Sequence, residues 1–167
     1  MTAKNKYLLT AGLVIIGLIT YRFLTFPGKL DAQSFKEIYK PGEAAELDLY
    51  VTQCEDENKR NLKFPPGEVD NAIVNSGFFS FDHPIQKKNI PRIVALLNDT
   101  STYIWGEVGT FLPGKKIVFY DKENKPLGIT DIDINNFCTY SYPYLRRMKW
   151  GSLTEKASEE LKNLIAE

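Results

Sequence analysis

The first acidic residue of this chain is Asp31, and ahead of it runs an apolar stretch, Tyr7 to Leu24, in which Arg22 is the one charged residue. Apolar on every side, such a stretch has no polar face to turn to water, so it must lie in lipid or deep in a core. Its eighteen residues would form a helix of roughly 27 Å, close to the ~30 Å hydrocarbon core of a bilayer. Lys4 and Lys6 give it the basic leading flank of a signal peptide or signal anchor. The region after it, Thr20 to Gly28, is bulky and aromatic where a peptidase site needs small residues, and the nearest small-x-small tripeptide is Ala32-Gln-Ser34. No cysteine follows the run to direct lipid attachment. The expectation is an uncleaved, single-pass anchor through residues 7–24, with a cleaved signal and a buried core helix as the alternatives. Arg22 then snorkels near one end, and Tyr21, Phe23 and Phe26 sit at the interface. Lys4, Lys6 and the amino terminus oppose Arg22 and Lys29, a mild bias placing the following domain outside the cytoplasm, periplasmic or extracellular.

Residues 1–29 therefore read as anchor and linker, and 30–167 as one soluble domain, about 138 residues and long enough to bury a core. Lys4, Lys6, Arg22 and Lys29 belong to the anchor, which leaves 17 basic residues against all 21 acidic ones in the domain. A net negative domain argues against nucleic acid as a partner, because phosphate binding wants a basic face. Cys54 and Cys138 are the two cysteines, and outside the cytoplasm a pair of this kind can form a disulfide.

Along the domain, Ala32 to Tyr39 reads as a short helix closed by Pro41-Gly42. Ala45 to Gln53 alternates with period two and reads as a half-buried strand, followed by a charged loop from Cys54 to Arg60. Glu68 to Val74 is ambiguous, and Gly77 to Phe81 reads as a short strand. Ile90 to Leu97 is a helix, with Asn89 as cap and Pro91 in the first turn. Strands are expected at Thr102 to Val108, Lys116 to Tyr120, Leu127 to Ile134 and Phe137 to Tyr142, with a hairpin loop at Asp121 to Lys125. Ser152-Leu-Thr-Glu155 has the form of a capping box opening a C-terminal helix, whose apolar face holds Leu153, Ala157, Leu161, Leu164 and Ile165 and packs across the sheet. The fold class is α+β: an N-terminal transmembrane helix, an antiparallel sheet of about four to six strands, and a packed C-terminal helix.

Chemistry-bearing residues are sparse. His83 is the sole histidine, and a general base needs a nucleophile beside it, for which Cys138 is the available partner. Asp131 and Asp133 share one face of a strand and could offer oxygen ligands to a divalent cation, but no third carboxylate or phosphate-binding loop is near in sequence. No cofactor motif and no zinc spacing occurs. Asn98-Asp-Thr100 matches a glycosylation sequon and is read as a chance match. Richer is the aromatic–basic stretch from Tyr140 to Trp150, which with Trp105 and Glu107 holds the residue types that dominate protein interfaces. The candidate contact residues are Trp105, Glu107, Tyr142, Tyr144, Arg146, Arg147 and Trp150, with Arg146 and Arg147 the pair expected at the surface. The expected function is a non-catalytic, membrane-tethered interaction domain, of the inhibitor or immunity type or a subunit of an envelope complex, with a protein partner. A small anchored hydrolase or metal-dependent enzyme using His83 or Asp131/Asp133 is one alternative, and a structural envelope protein is the other.

Overall fold

The computed structural model describes residues 3–35, 47–105 and 110–166. Helix α1 spans Ala3–Thr25. Its stretch Tyr7–Thr25 is long and apolar enough to cross a membrane, and none of it is buried against the rest of the protein. That exposure removes the reading of α1 as a core helix.

The domain is α+β, built on a five-stranded antiparallel sheet in the order β2-β1-β3-β4-β5. The strands are β1 (Asn71–Asn75), β2 (His83–Pro84), β3 (Lys115–Tyr120), β4 (Pro126–Asp133) and β5 (Cys138–Tyr142). The strands expected at 116–120, 127–134 and 137–142 form, and Asp121 to Lys125 turns between β3 and β4, where Asp121 accepts the backbone N–H groups of Glu123 and Lys125. Register sets the faces. Ala72, Val74, Ile117, Phe119 and Ile132 turn to the main core. Opposite them lie Val118 and Ile129, fully buried as well, in the row that carries Tyr142.

Two helices cover the core face. In α3 (Ile90–Asn98) the buried residues are Ile90, Ile93, Leu96 and Leu97. In α4 (Glu155–Ala166) they include Ala157, Leu161, Leu164 and Ile165, and the two helices pack side by side. Asn89 stands at the N-cap of α3, its carbonyl accepting Ile93 N–H, but its side chain makes no capping bond. It is itself helical in conformation and donates instead to the Leu164 carbonyl at 3.1 Å, satisfying an open group near the end of α4. The expected capping box is likewise displaced. Residues 152–154 are held extended by Ile104 N–H to Ser152 O, Leu153 N–H to Phe137 O and Thr154 N–H to Thr102 O. The helix therefore opens later, and Thr154 Oγ1 accepts from Ala157 N–H at 3.2 Å as its cap.

Four further expectations are corrected. The segment read as a strand at 45–53 and a loop at 54–60 is helix α2 (Leu47–Lys59) over its described part. The ion pairs Glu55–Lys59 and Asp56–Arg60, one helical turn apart, match helical spacing and not a charged loop. Gly77 to Phe81 is a turn, not a strand: Ser80 N–H returns to Gly77 O, and the Gly77, Phe78 and Ser80 carbonyls converge on the Arg22 guanidinium. A strand would point successive carbonyls to opposite sides. Near Thr102 the chain makes a short 3₁₀ turn (Thr100–Thr102) and one bridge from Tyr103 to Leu153, while 106–109 lies outside the described residues. The helix expected over 32–39 is a 3₁₀ turn at Ala32–Ser34, and its remainder past Phe35 also lies outside them.

The linker docks on the domain. Lys116 Nζ, paired with Asp131 at 3.6 Å, also donates to the carbonyls of Gly28 and Leu30. The anchor and the domain thus meet at specific polar contacts.

Candidate functional site

The aromatic–basic stretch from Tyr140 to Trp150 begins in β5. It leaves the sheet at Tyr142, and a 3₁₀ segment, Arg146–Gly151, carries it back toward α4. Inside that segment Lys149 (φ 44°, ψ 50°) and Trp150 (φ 61°, ψ 10°) are both left-handed. Non-glycine residues adopt that conformation in succession only when their surroundings compel it. Two hydrogen bonds do so here. Lys149 Nζ donates to the Tyr103 carbonyl at 2.9 Å, and Trp150 N–H donates to the Tyr144 hydroxyl at 3.0 Å. Gly151 follows at φ 88°, and a Cβ there would stand 1.7 Å from the Thr139 carbonyl oxygen, so only glycine fits.

The turn presents Trp150 at the surface. Its ring meets that of Trp105 edge-on, centroids 4.7 Å apart. Each keeps nearly half of its surface exposed, 46% for Trp150 and 44% for Trp105. Tyr144 lies beneath, more than half buried, and burial pushes its phenol up. Trp105, Tyr144 and Trp150 therefore form one cluster.

The basic residues have another role. Arg146 is 5% exposed and its Nε donates to Gln53 of α2. Arg147 donates from Nε to Glu57, also of α2, at 3.4 Å and from Nη2 to the Leu62 carbonyl at 2.7 Å. Glu57, wholly buried, accepts the backbone N–H groups of Arg146 and Arg147 as well. The expectation that these arginines form a solvated pair is thus corrected: they and Glu57 clamp α2 to the 3₁₀ segment. With α2 read as a strand and loop, nothing in the sequence brought Glu57 to this place. Tyr142 stands on the sheet face opposite the core, and Glu107 lies outside the described residues.

The remaining candidates are dispersed. His83 is exposed on β2, and Cys138 begins β5 at the other edge of the sheet. Four strand spacings separate them, about 19 Å at the usual interstrand distance, too far for a dyad. Asp131 pairs with Lys116, and burial lifts its carboxyl above the ordinary value against that pairing. Asp133 accepts from Leu112 N–H at 2.8 Å and from Asn135 and Asn136, which hold its carboxyl below the usual range. Both aspartates are thus engaged with protein donors. Among the described residues no three His, Cys, Asp or Glu side chains gather where they could hold a metal ion. Cys54 and Cys138 are not joined. Cys138 is enclosed at the sheet edge, its backbone paired with Asp133 on one side and Ser152 on the other, and burial raises its thiol. Asn98, the sequon residue, uses its amide on Phe64 N–H and on the Phe64 and Val94 carbonyls.

A second cluster was not foreseen. Arg22 of α1 pairs with Asp82 and collects three carbonyls of the 77–80 turn. Burial pushes the Asp82 carboxyl up, but Arg22 and the Asn75 amide outweigh it and hold the group below the usual range. Arg22 stood out in the sequence as the lone charge of the apolar run, yet nothing there named its partner. No protein-family model matches the chain, and neither the curated proteins nor the solved structures compared with it give a match.

Proposed function

We propose that this chain is a membrane-tethered, extracytoplasmic protein-interaction domain, non-catalytic, of the inhibitor or immunity type or a subunit of an envelope complex. The observation that carries the reading is the half-exposed Trp105–Trp150 pair on a left-handed turn. Backbone strain concentrates where a function requires it, and exposed tryptophans are the commonest interface anchors. Separation of His83 from Cys138 and the full engagement of Asp131 and Asp133 weigh against the enzyme alternatives. Docking of the linker on Lys116, and of Arg22 on Asp82, favours an uncleaved anchor, since cleavage would strip the domain of both contacts.

The test is capture of the full-length protein's partner from native membranes, with wild type set against Trp105→Ala and Trp150→Ala. Loss of a hot-spot tryptophan costs about 2 kcal/mol or more, roughly a thirty-fold weakening. Expected is loss of a stoichiometric partner with the thermal midpoint little changed. Undiminished capture by both variants would refute the assignment.

A further inference from the structure

We propose that the Gly77–Phe81 turn is a second membrane contact, seated in the bilayer interface beside the end of α1 and fixed there by Arg22 and Asp82. Phe79 and Phe81 are 95% and 86% exposed, more than any other large apolar residue described, those of α1 included. Nothing among the described residues covers them, yet the turn that carries them is firmly held. Arg22 Nε donates to Phe78 O at 3.1 Å and Nη2 to Ser80 O at 2.9 Å, while both Asp82 oxygens take the guanidinium. Asn75 Nδ2 braces Asp82 from β1 at 2.6 Å. Phe78 packs edge-on against Phe26, just past α1, with centroids 5.3 Å apart.

These contacts set the depth of the turn. Tyr7–Thr25 rises roughly 28 Å as a helix, and Arg22 lies within one turn of its end, about 5 Å from it. A turn bound to Arg22 therefore sits at the level where the hydrocarbon gives way to headgroups. Aromatic side chains partition to that level, and Tyr21 and Phe23 of α1 occupy it already. Irregular backbone at that depth needs its carbonyls satisfied from within the protein, which Arg22 does for Gly77, Phe78 and Ser80. The rings of Phe26, Phe78 and Phe79 follow one another edge-on and join the turn to the end of the spanning helix, which is why lipid is the occupant argued for. Anchored at two points, the domain cannot swivel freely, so the rest of its surface is presented at one tilt.

This inference rests on α1 spanning the bilayer, and the experiment separates the two. The full chain, with Trp105→Phe and Trp150→Phe, would carry a single new tryptophan and be reconstituted in vesicles of phosphatidylcholine and phosphatidylglycerol with brominated acyl chains. Ile15→Trp reports the middle of α1, Tyr21→Trp its interfacial end, and Phe79→Trp and Phe81→Trp the turn. Expected is quenching at 79 and 81 comparable to that at 21, with blue-shifted emission, and its loss when Asp82→Asn is added while quenching at 15 persists. Strong quenching at 15 with water-like emission at 79 and 81 would overturn the second contact and leave the anchor standing. Absence of quenching at 15 would sink the anchor, and the inference with it. An emission shift at 79 that follows protein concentration and not bromination would assign the turn to a second copy of the chain. If the background without native tryptophans fails to fold, a nitroxide on Phe79→Cys in a chain that keeps both tryptophans but carries Cys54→Ser and Cys138→Ala reads the same depth by collisional relaxation with oxygen against a water-soluble nickel chelate.

Discussion

Glu57 shows how one residue can decide a local fold. It is fully buried and accepts two backbone N–H groups and the Arg147 guanidinium. Removing it leaves three donors facing an apolar gap, which costs far more than an exposed ion pair contributes. Glu57→Ala should therefore lower stability by about 3–5 kcal/mol, read from denaturant midpoints of the full chain in detergent. A change under about 1 kcal/mol would mean that α2 is not held by this clamp. Asp133 sets a pH dependence. Its carboxyl titrates lower in the folded protein than in the unfolded chain, so its stabilisation is present above the unfolded value near pH 4 and is lost as pH falls through the depressed one. Asp131, raised by burial, runs the other way. Asp133→Asn should flatten the loss of stability in acid, and an acid-unfolding curve parallel to that of wild type would contradict the assignment. His83, Arg146 and Arg147 carry the lesson of this scale: residue type announces chemistry, but only surroundings say whether the group is spent on the fold.

At the scale of elements, local pattern spoke clearly where neighbours agreed with it. In α3 the apolar face and Pro91 in the first turn locate the helix, and the hairpin between β3 and β4 follows from its polar loop. Pattern failed where tertiary bonds overrode it. A period of two from Ala45 to Gln53 points to a strand, whereas the i,i+4 charge pairs at 55–60 mark a helix. At 152–155 the capping box has the right letters, yet backbone bonds to residues 102, 104 and 137 pull the segment extended. Opposite expectations for two hydroxyls follow. Thr154→Ala should cost about 0.5–2 kcal/mol as a lost cap, and Ser152→Ala much less. Leu161→Ala, at a side chain 2% exposed, should cost about 2–5 kcal/mol. Thermal or denaturant midpoints that rank Ser152 above Thr154 would restore the original capping box.

For the whole molecule, the question is how the anchor and the domain are joined. The full chain should stay with membranes through high-salt and carbonate washes, because apolar burial does not respond to salt, and the retained protein should still contain residues 1–29. A membrane-free chain beginning near Phe35 would show cleavage instead. Arg22 and Lys116 make the join a structured one, with consequences for which way the Trp105–Trp150 pair faces.

The sequence by itself determined the apolar helix, the α+β class, three of the five strands and both helices on the core face, because each is written in a short-range period or in residue type. Tertiary structure alone decided the role of Arg146 and Arg147, the partner of Arg22, the separation of His83 from Cys138 and the conformation of Lys149 and Trp150. Each of these depends on groups some 40 to 90 residues apart brought together by sheet order and helix packing, or on a backbone strain that only such contacts sustain. No local pattern encodes which distant carbonyl or carboxylate will meet a given side chain.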